Sequence, residues 1–222
     1  MAHAIHTVLL LSLLFWTNEG RGEETGGAGP LRVLSRDALV SILPPDTHLM
    51  LDPSPIEQFL IALDSAPPDW KTVYGRGHHD PGHDDRLFAL NRKRDAMRSG
   101  RQPLAWRVTF SWTGELSPFN ADEAGFPVAV GPKFITTGWG LVRFKPEDVP
   151  GNLVATAGGK LKTQIERKLE AGESVEVDVL MTGRLVPDES IIYDFSHDEE
   201  GLGLIMPFVR VERVDLIMTP PK

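Results

Sequence analysis

Residues 158–181, GGKLKTQIERKLEAGESVEVDVLM, contain the two patterns that decide the predicted fold. In the first half, three apolar residues recur at helical spacing: Leu161, Ile165 and Leu169. In the second half, apolar residues occupy every other position: Val175, Val177, Val179 and Met181. Such alternation is typical of a half-buried strand. The stretch therefore predicts a helix over residues 160–170, ended by Gly172, that leads directly into a strand.

Further strand-like segments lie on both sides of this helix and strand. Three come before the helix (residues 106–112, 126–130 and 139–144), and two follow the strand (residues 191–195 and 202–217). In the last of these the alternation slips near Glu212, which predicts a β-bulge. The fold class is α+β: a mainly antiparallel OB-like β-barrel, with the helix between the third and fourth strands and with an N-terminal helical extension. The likeness is one of architecture, and other antiparallel α+β folds share this order.

The pattern divides the chain into four segments. Residues 1–22 are the predicted export signal, and residues 23–30 a flexible Gly-rich leader. Residues 31–103 form a helical N-terminal region that includes a His/Asp loop, and residues 104–222 form the OB-like β domain. In the N-terminal region, Ser54-Pro55 begins one helix, and Asp84 or Asp85 is expected to cap a second helix that ends near Arg98.

The first 22 residues have the pattern of a secretory signal. Residues 8–16 (VLLLSLLFW) are apolar, but the run is shorter than the roughly 20 residues that a bilayer-spanning helix needs. Small residues at Gly20 and Gly22 suit cleavage after Gly22. The preceding residues carry no Lys or Arg, so an uncleaved anchor and a buried N-terminal segment remain alternatives. From this signal we expect a periplasmic or secreted protein with no transmembrane span in the mature chain. Since the chain contains no cysteine, it has no disulfides.

The formal charge of −8 argues against nucleic acid as a partner. Charge is nevertheless uneven: residues 86–107 hold seven basic residues against one acid, and residues 188–200 hold six acids and no Lys or Arg. The two segments either face each other or are solvated, or the basic segment binds an anionic ligand. Under the last reading the candidate ligand-binding arginines are Arg92, Arg94 and Arg98. Trp112 and Trp139 are either core residues or stacking residues of a binding groove.

Residues 77–85 (GHHDPGHDD) concentrate potential metal ligands. His78, His79, His83 and Asp80 offer imidazole nitrogens and a carboxylate, which suits a divalent transition metal. The spacing matches no established zinc signature. The alternatives are a polar loop that caps the following helix and a catalytic or pH-sensing histidine.

No segment carries a complete catalytic signature. Ser196, His197 and Asp198 are adjacent, so their side chains point apart and do not form a triad. The chain also lacks a nucleophile elbow, a P-loop and a dinucleotide-binding glycine motif. The sequence therefore favours an exported, soluble, non-enzymatic module that binds a small ligand or an envelope protein. The alternatives are a metal-dependent enzyme or metal carrier that uses the His loop, and an anion-binding module that uses the basic segment.

Overall fold

A computed structural model describes residues 27–76, 80–186, 191–196 and 202–220. The predicted export signal, the first residues of the leader, and His78, His79 and His197 lie outside these ranges. The helices of the described residues are α1 Pro53–Asp64, α2 Trp70–Tyr74, α3 His83–Arg98 and α4 Gly159–Glu170. The strands are β1 Gly27–Val33, β2 Thr47–Leu49, β3 Arg107–Leu116, β4 Phe126–Gly131, β5 Ile135–Thr137, β6 Gly140–Val142, β7 Lys145–Glu147, β8 Leu153–Thr156, β9 Glu176–Leu185, β10 Ile191–Phe195 and β11 Gly203–Met218. The fold class, α+β, is as predicted.

Six strands close into a β-barrel in the order β1-β8-β4-β3-β9-β11, and β11 pairs again with β1. Neighbouring strands from β8 to β11 run antiparallel. β1 runs parallel to both of its neighbours, β8 and β11. The barrel is therefore mixed, and the prediction of mainly antiparallel pairing holds for only part of it. Gly27–Val33 includes the last residues assigned to the leader, which the structure places in the barrel wall.

The patterns in residues 158–181 are reproduced by α4 and β9. The predicted bulge is also present, because the register of β11 against β9 shifts between Val211 and Arg213. The third barrel strand was predicted wrongly: it is β8, whereas residues 139–144 contain β6. Both segments are short and buried on both sides, so neither shows the alternation that would distinguish them.

A second, smaller sheet is built on the first half of β11, where β10 and β6 pair with its two edges. β5 then pairs with β6. Outside the barrel path, β2 adds to β3 and β7 adds to β11. Because β11 is 16 residues long, it can belong to the small sheet at one end and to the barrel at the other.

The barrel interior is filled with side chains and is continuous with the helical part. Fully buried barrel residues include Val108, Val179 and Met181, and they belong to the same apolar cluster as Ile56 and Phe59 of α1. A separate small cluster lies on the outer face of β9 and β11, where a 3-10 turn at Arg36–Ser41 packs over it. Among the described residues, no helix has the length and apolarity needed to cross a bilayer.

Candidate functional site

The described part of the His/Asp loop forms a hydrogen-bonded turn centred on Asp80. Its carboxylate accepts hydrogen bonds from the Gly82 amide at 3.0 Å, the Arg76 amide at 3.1 Å and the Arg86 guanidinium at 2.9 Å. These bonds, that from Gly82 first, lower the pKa of Asp80 to about 2. A carboxylate already engaged by three donors holds the turn in place before α3.

His83 is the first residue of α3 and lies against the small sheet. Its Nδ1 is 3.0 Å from the Asp80 carbonyl oxygen, and its ring centroid is 5.2 Å from that of Phe195. The expected cap from Asp84 or Asp85 is absent, because the helix starts earlier and Gly82 takes the N-cap position. Both acids instead lie in the first turn, where they interact favourably with the helix dipole.

In the part of the chain that the structure describes, no three His, Asp or Glu side chains are grouped to hold a metal ion. Since His78 and His79 lie outside that part, the predicted metal site with His83 and Asp80 stays a prediction. The two members that are described already have other partners.

Most of the basic segment is used within the protein itself. Arg86 binds Asp80 and the Val73 carbonyl, Arg101 donates to the Ala62 carbonyl, and Arg107 binds both Asp46 and Glu212. Arg94 donates to the backbone carbonyl of Asp64 at 2.7 Å. Arg92 is exposed, with its guanidinium 5.7 Å from the Phe88 ring centroid, and Lys93 beside it is exposed as well. The structure therefore leaves two cations of this segment facing solvent.

Arg98 belongs to a buried polar network that joins α1, α3 and β10. Its guanidinium donates to both carboxylate oxygens of Asp64, at 2.8 and 2.7 Å, and to the Ile191 carbonyl at 2.9 Å. The Tyr193 hydroxyl donates to the same carboxylate. Burial raises the pKa of Tyr193 well above its usual value, and the Asp64 charge raises it further. Arg98 and Asp64 side chains are 2% and 0% exposed, so this network clamps elements together and is closed to ligands.

The two candidate tryptophans have different surroundings. Trp139 is a core residue, 4% exposed, and its carbonyl accepts a hydrogen bond from the Trp70 indole at 2.6 Å. Trp112 is half-buried, donates from its indole to the Phe144 carbonyl at 3.0 Å, and has the Arg143 guanidinium 5.7 Å from its ring centroid. The structure does not bring either tryptophan together with the candidate arginines 92, 94 and 98.

The barrel wall has a gap beside β3 that the sequence did not predict. On one side β3 pairs with β9 along most of its length. On the other side, residues 107–109 pair with β2 and residues 113–116 pair with β4. Residues 110–112 lie between these two partners, and among the described residues no strand pairs with them on that side.

A cavity of about 210 Å³ lies over the outer face of β3, β9 and β11 and borders this gap. Its apolar residues are Leu34, Leu39, Leu51, Leu180 and Ile217, and its polar residues are Arg36, Ser111, Lys133, Asp178 and Thr219. The Lys133 ammonium lies 3.5 Å from the Ser111 hydroxyl and 3.9 Å from the Asp178 carboxylate. The second lining cation, Arg36, is paired with Asp52 at 2.7 Å. An apolar floor therefore meets the opposite charges of Lys133 and Asp178, the arrangement of a site for a small amphipathic molecule.

The sequence of β9 contains one signal for this cavity. Leu180 is an apolar residue on the face of β9 that otherwise carries Glu176 and Asp178. Leu180 is buried there against Leu39 of the 3-10 turn.

Comparison with protein families, with curated proteins and with solved structures found no match.

Proposed function

We propose that this protein is a non-enzymatic binding module that holds a small amphipathic ligand in the cavity on the outer face of β3, β9 and β11. The observation that carries the proposal is the apolar floor of the cavity with the Lys133 and Asp178 charges at its rim. Both rim side chains are about 40% exposed, so their charges remain available to a ligand that enters from solvent.

The size of the cavity limits the class of ligand. At about 210 Å³ it exceeds the roughly 150 Å³ cavity that accommodates benzene in an engineered protein core. An alkyl chain of a few carbons or a single ring fits, with a polar head group at the rim. Because Lys133 and Asp178 differ in sign, the head group can be an anion, a cation or both.

The surroundings of Ser111 and Lys133 disfavour catalysis at this site. Ser111 and Lys133 are the residue types of a serine–lysine hydrolase. A lysine that serves as a base is desolvated, whereas Lys133 is 39% exposed and faces a carboxylate. Their separation of 3.5 Å is also at the outer limit of a hydrogen bond.

The test is titration of isotope-labelled protein with hexanoate, hexylamine and 1-hexanol, followed by amide NMR shifts. We expect saturable shifts at Leu180 and Ile217, with hexanoate preferred over hexanol through Lys133. Lys133→Met should remove that preference. Thr219→Trp, at the exposed rim, should block all three probes by filling the entrance.

Thr163→Trp is the matched control, because Thr163 is exposed on α4 and is not part of the cavity. It should bind the probes as the unchanged protein does. Absence of saturable shifts with every probe, or unchanged binding in Thr219→Trp, would count against the cavity. Ester hydrolysis that is lost in Ser111→Ala would instead establish an enzyme.

The proposal includes export to the periplasm or the medium. β1 starts at Gly27, so cleavage after Gly22 would leave every strand of the barrel in the mature chain. The intact mass of protein isolated from its own cells tests this, since the mature chain would begin at Glu23. Recovery of the full-length chain from the cytosol would contradict export.

We further propose that the barrel is of OB type with one added strand. In chain order the strands of the barrel other than β1 are β3, β4, β8, β9 and β11, and α4 lies between the third and fourth of these. An OB-type barrel is partly open, and β1 would fill that opening between β8 and β11. The cavity lies on β3, β9 and β11, whereas OB-type folds usually bind on their second and third strands. The ligand proposal therefore does not depend on this likeness.

A further inference from the structure

Arg143 lies between β6 and β7, and two aromatic rings flank its guanidinium. The guanidinium carbon is 5.7 Å from the ring centroid of Trp112 and 5.8 Å from that of Phe134. Aromatic faces attract a cation and hold its side chain in one orientation. Arg143 is therefore a positioned cation.

Among the described residues, Arg143 differs from the other arginines that are at least partly buried. Each of the others has a carboxylate or a backbone carbonyl as its partner: Arg32, Arg86, Arg94, Arg98, Arg101, Arg107 and Arg213. The Nε of Arg143 is buried and has no hydrogen-bond partner within the described ranges. No carboxylate of those ranges forms an ion pair with it. Buried polar groups are nearly always satisfied, so this one calls for an explanation such as a bound ion.

The ring of Phe134 provides a second observation at the same place. Phe134 is 42% exposed, although large apolar side chains of a packed domain are usually covered. An oxyanion bound to Arg143 would have this ring as its neighbour. A ligand whose anionic group is attached to an aromatic ring could bind the guanidinium and cover Phe134 at once.

We propose that Arg143, with Trp112 and Phe134, forms a binding site for an oxyanion carried on an aromatic group, such as an aromatic carboxylate or phosphate monoester. A guanidinium presents paired N–H donors that match both kinds of oxyanion. This site shares no residue with the cavity proposed above. Ser111 and Trp112 are successive residues of β3, so their side chains point to opposite faces. Absence of binding at one site therefore does not count against the other site.

The test uses calorimetry with benzoate, phenyl phosphate, acetate and inorganic phosphate as probes. We expect benzoate or phenyl phosphate to bind more tightly than acetate or inorganic phosphate, and binding to weaken as salt is added. The comparison between benzoate and phenyl phosphate identifies the preferred oxyanion. The side-chain Nε–H signal of Arg143, followed by NMR, should shift with the bound fraction.

Three variants test the residues. Arg143→Met should weaken binding at least about tenfold, because a charge-assisted pair is lost. Arg143→Lys should retain part of the affinity, since the charge remains but the planar fork does not. Phe134→Ala, at an exposed position, should lower the affinity for benzoate to that for acetate while leaving the fold intact.

Arg167→Met is the matched control, because Arg167 is exposed on α4 and its side chain has no hydrogen bond or ion pair within the described ranges. It should leave binding unchanged. The proposal is overturned if no probe binds in the millimolar range, if Arg143→Met binds as tightly as the unchanged protein, or if Arg167→Met causes the same loss. If Arg143→Met does not fold, Phe134→Ala provides the test: the proposal is also overturned if this variant binds benzoate as tightly as the unchanged protein.

Discussion

Replacing Arg98 by methionine should destabilise the protein more than any other arginine substitution in α3. Arg98 donates two hydrogen bonds to Asp64, at 2.8 and 2.7 Å, and a third to the Ile191 carbonyl at 2.9 Å. In the variant, Asp64 would keep the Tyr193 hydroxyl as a donor but would lose its counter-ion. The carboxylate is fully buried, so water cannot take over that role.

The expected magnitude follows from that burial. Removing one partner of a buried ion pair costs about 3–5 kcal/mol, because the remaining charge is left without compensation. A loss of about 4 kcal/mol lowers the folding equilibrium constant roughly a thousandfold. With a urea m-value near 2 kcal/mol/M, the unfolding midpoint should fall by about 2 M.

Urea unfolding followed by tryptophan fluorescence measures this loss. Arg92→Met is the control, because Arg92 is exposed and its guanidinium lies over the Phe88 ring; its effect should stay within about 0.5 kcal/mol. Replacing the whole network, with Arg98→Met, Asp64→Leu and Tyr193→Phe together, should recover much of the loss, since the buried carboxylate and hydroxyl are removed and only the Ile191 carbonyl loses a donor. A loss below about 1 kcal/mol for Arg98→Met, or a triple variant no more stable than the single one, would refute the reasoning.

Three further predictions concern single contacts. Hydrogen bonds hold the pKa of Asp80 at about 2, below its ordinary value of 3.8. The ionised Asp80 therefore contributes its full stabilisation above pH 3.8, and this contribution is lost as the pH falls toward 2. Urea unfolding at pH 6 and pH 2.5 should show that the free energy of unfolding depends less on pH in Asp80→Asn than in the unchanged protein. Gly203→Ala should destabilise by about 1–3 kcal/mol, because a Cβ there would lie 1.8 Å from Trp70, and thermal unfolding measures it. The hydroxyls of Thr109 and Thr182 are 2.6 Å apart and buried. Thr109→Val or Thr182→Val alone should therefore lower the free energy of unfolding by about 1–3 kcal/mol. The double variant should lose less than the sum of the two single losses, and a double-mutant cycle measured by urea unfolding tests this.

The parts of the fold that the sequence predicted are those specified by local periodicity. α4 and β9 are 12 and 10 residues long, and each carries its pattern over at least seven residues, so pattern and structure agree. The bulge in β11 could also be predicted from the sequence, because a shift of one residue in the apolar alternation moves every later side chain to the other face of the strand.

What the sequence did not predict depends on pairing between distant segments. Gly27–Val33 (GAGPLRV) has no strand pattern of its own, and it is extended because β8 and β11 supply its partners. Arg98 looks like a solvent-facing helix residue, yet Asp64, 34 positions earlier, makes it a buried one. Local propensity carries no information about either event.

The candidate site was hidden for the same reason. The cavity combines residues that follow β1, β2 and β4 with outward residues of β3, β9 and β11, so no motif of fixed spacing exists. The basic segment, by contrast, was visible as composition, but composition does not reveal which arginines find carboxylates inside the fold.

The pairing of β1 with β11 also determines when the barrel can form. Its first and last strands come from opposite ends of the described chain, and they are neighbours in the closed wall. Such contacts bear the full entropy cost of closing the longest loop, which makes folding slow compared with that of a helical bundle. A chain emerging from the ribosome can assemble β3, β4 and β8 early, yet the ring stays open until β11 has been synthesised. Barrel closure is therefore a late step of folding.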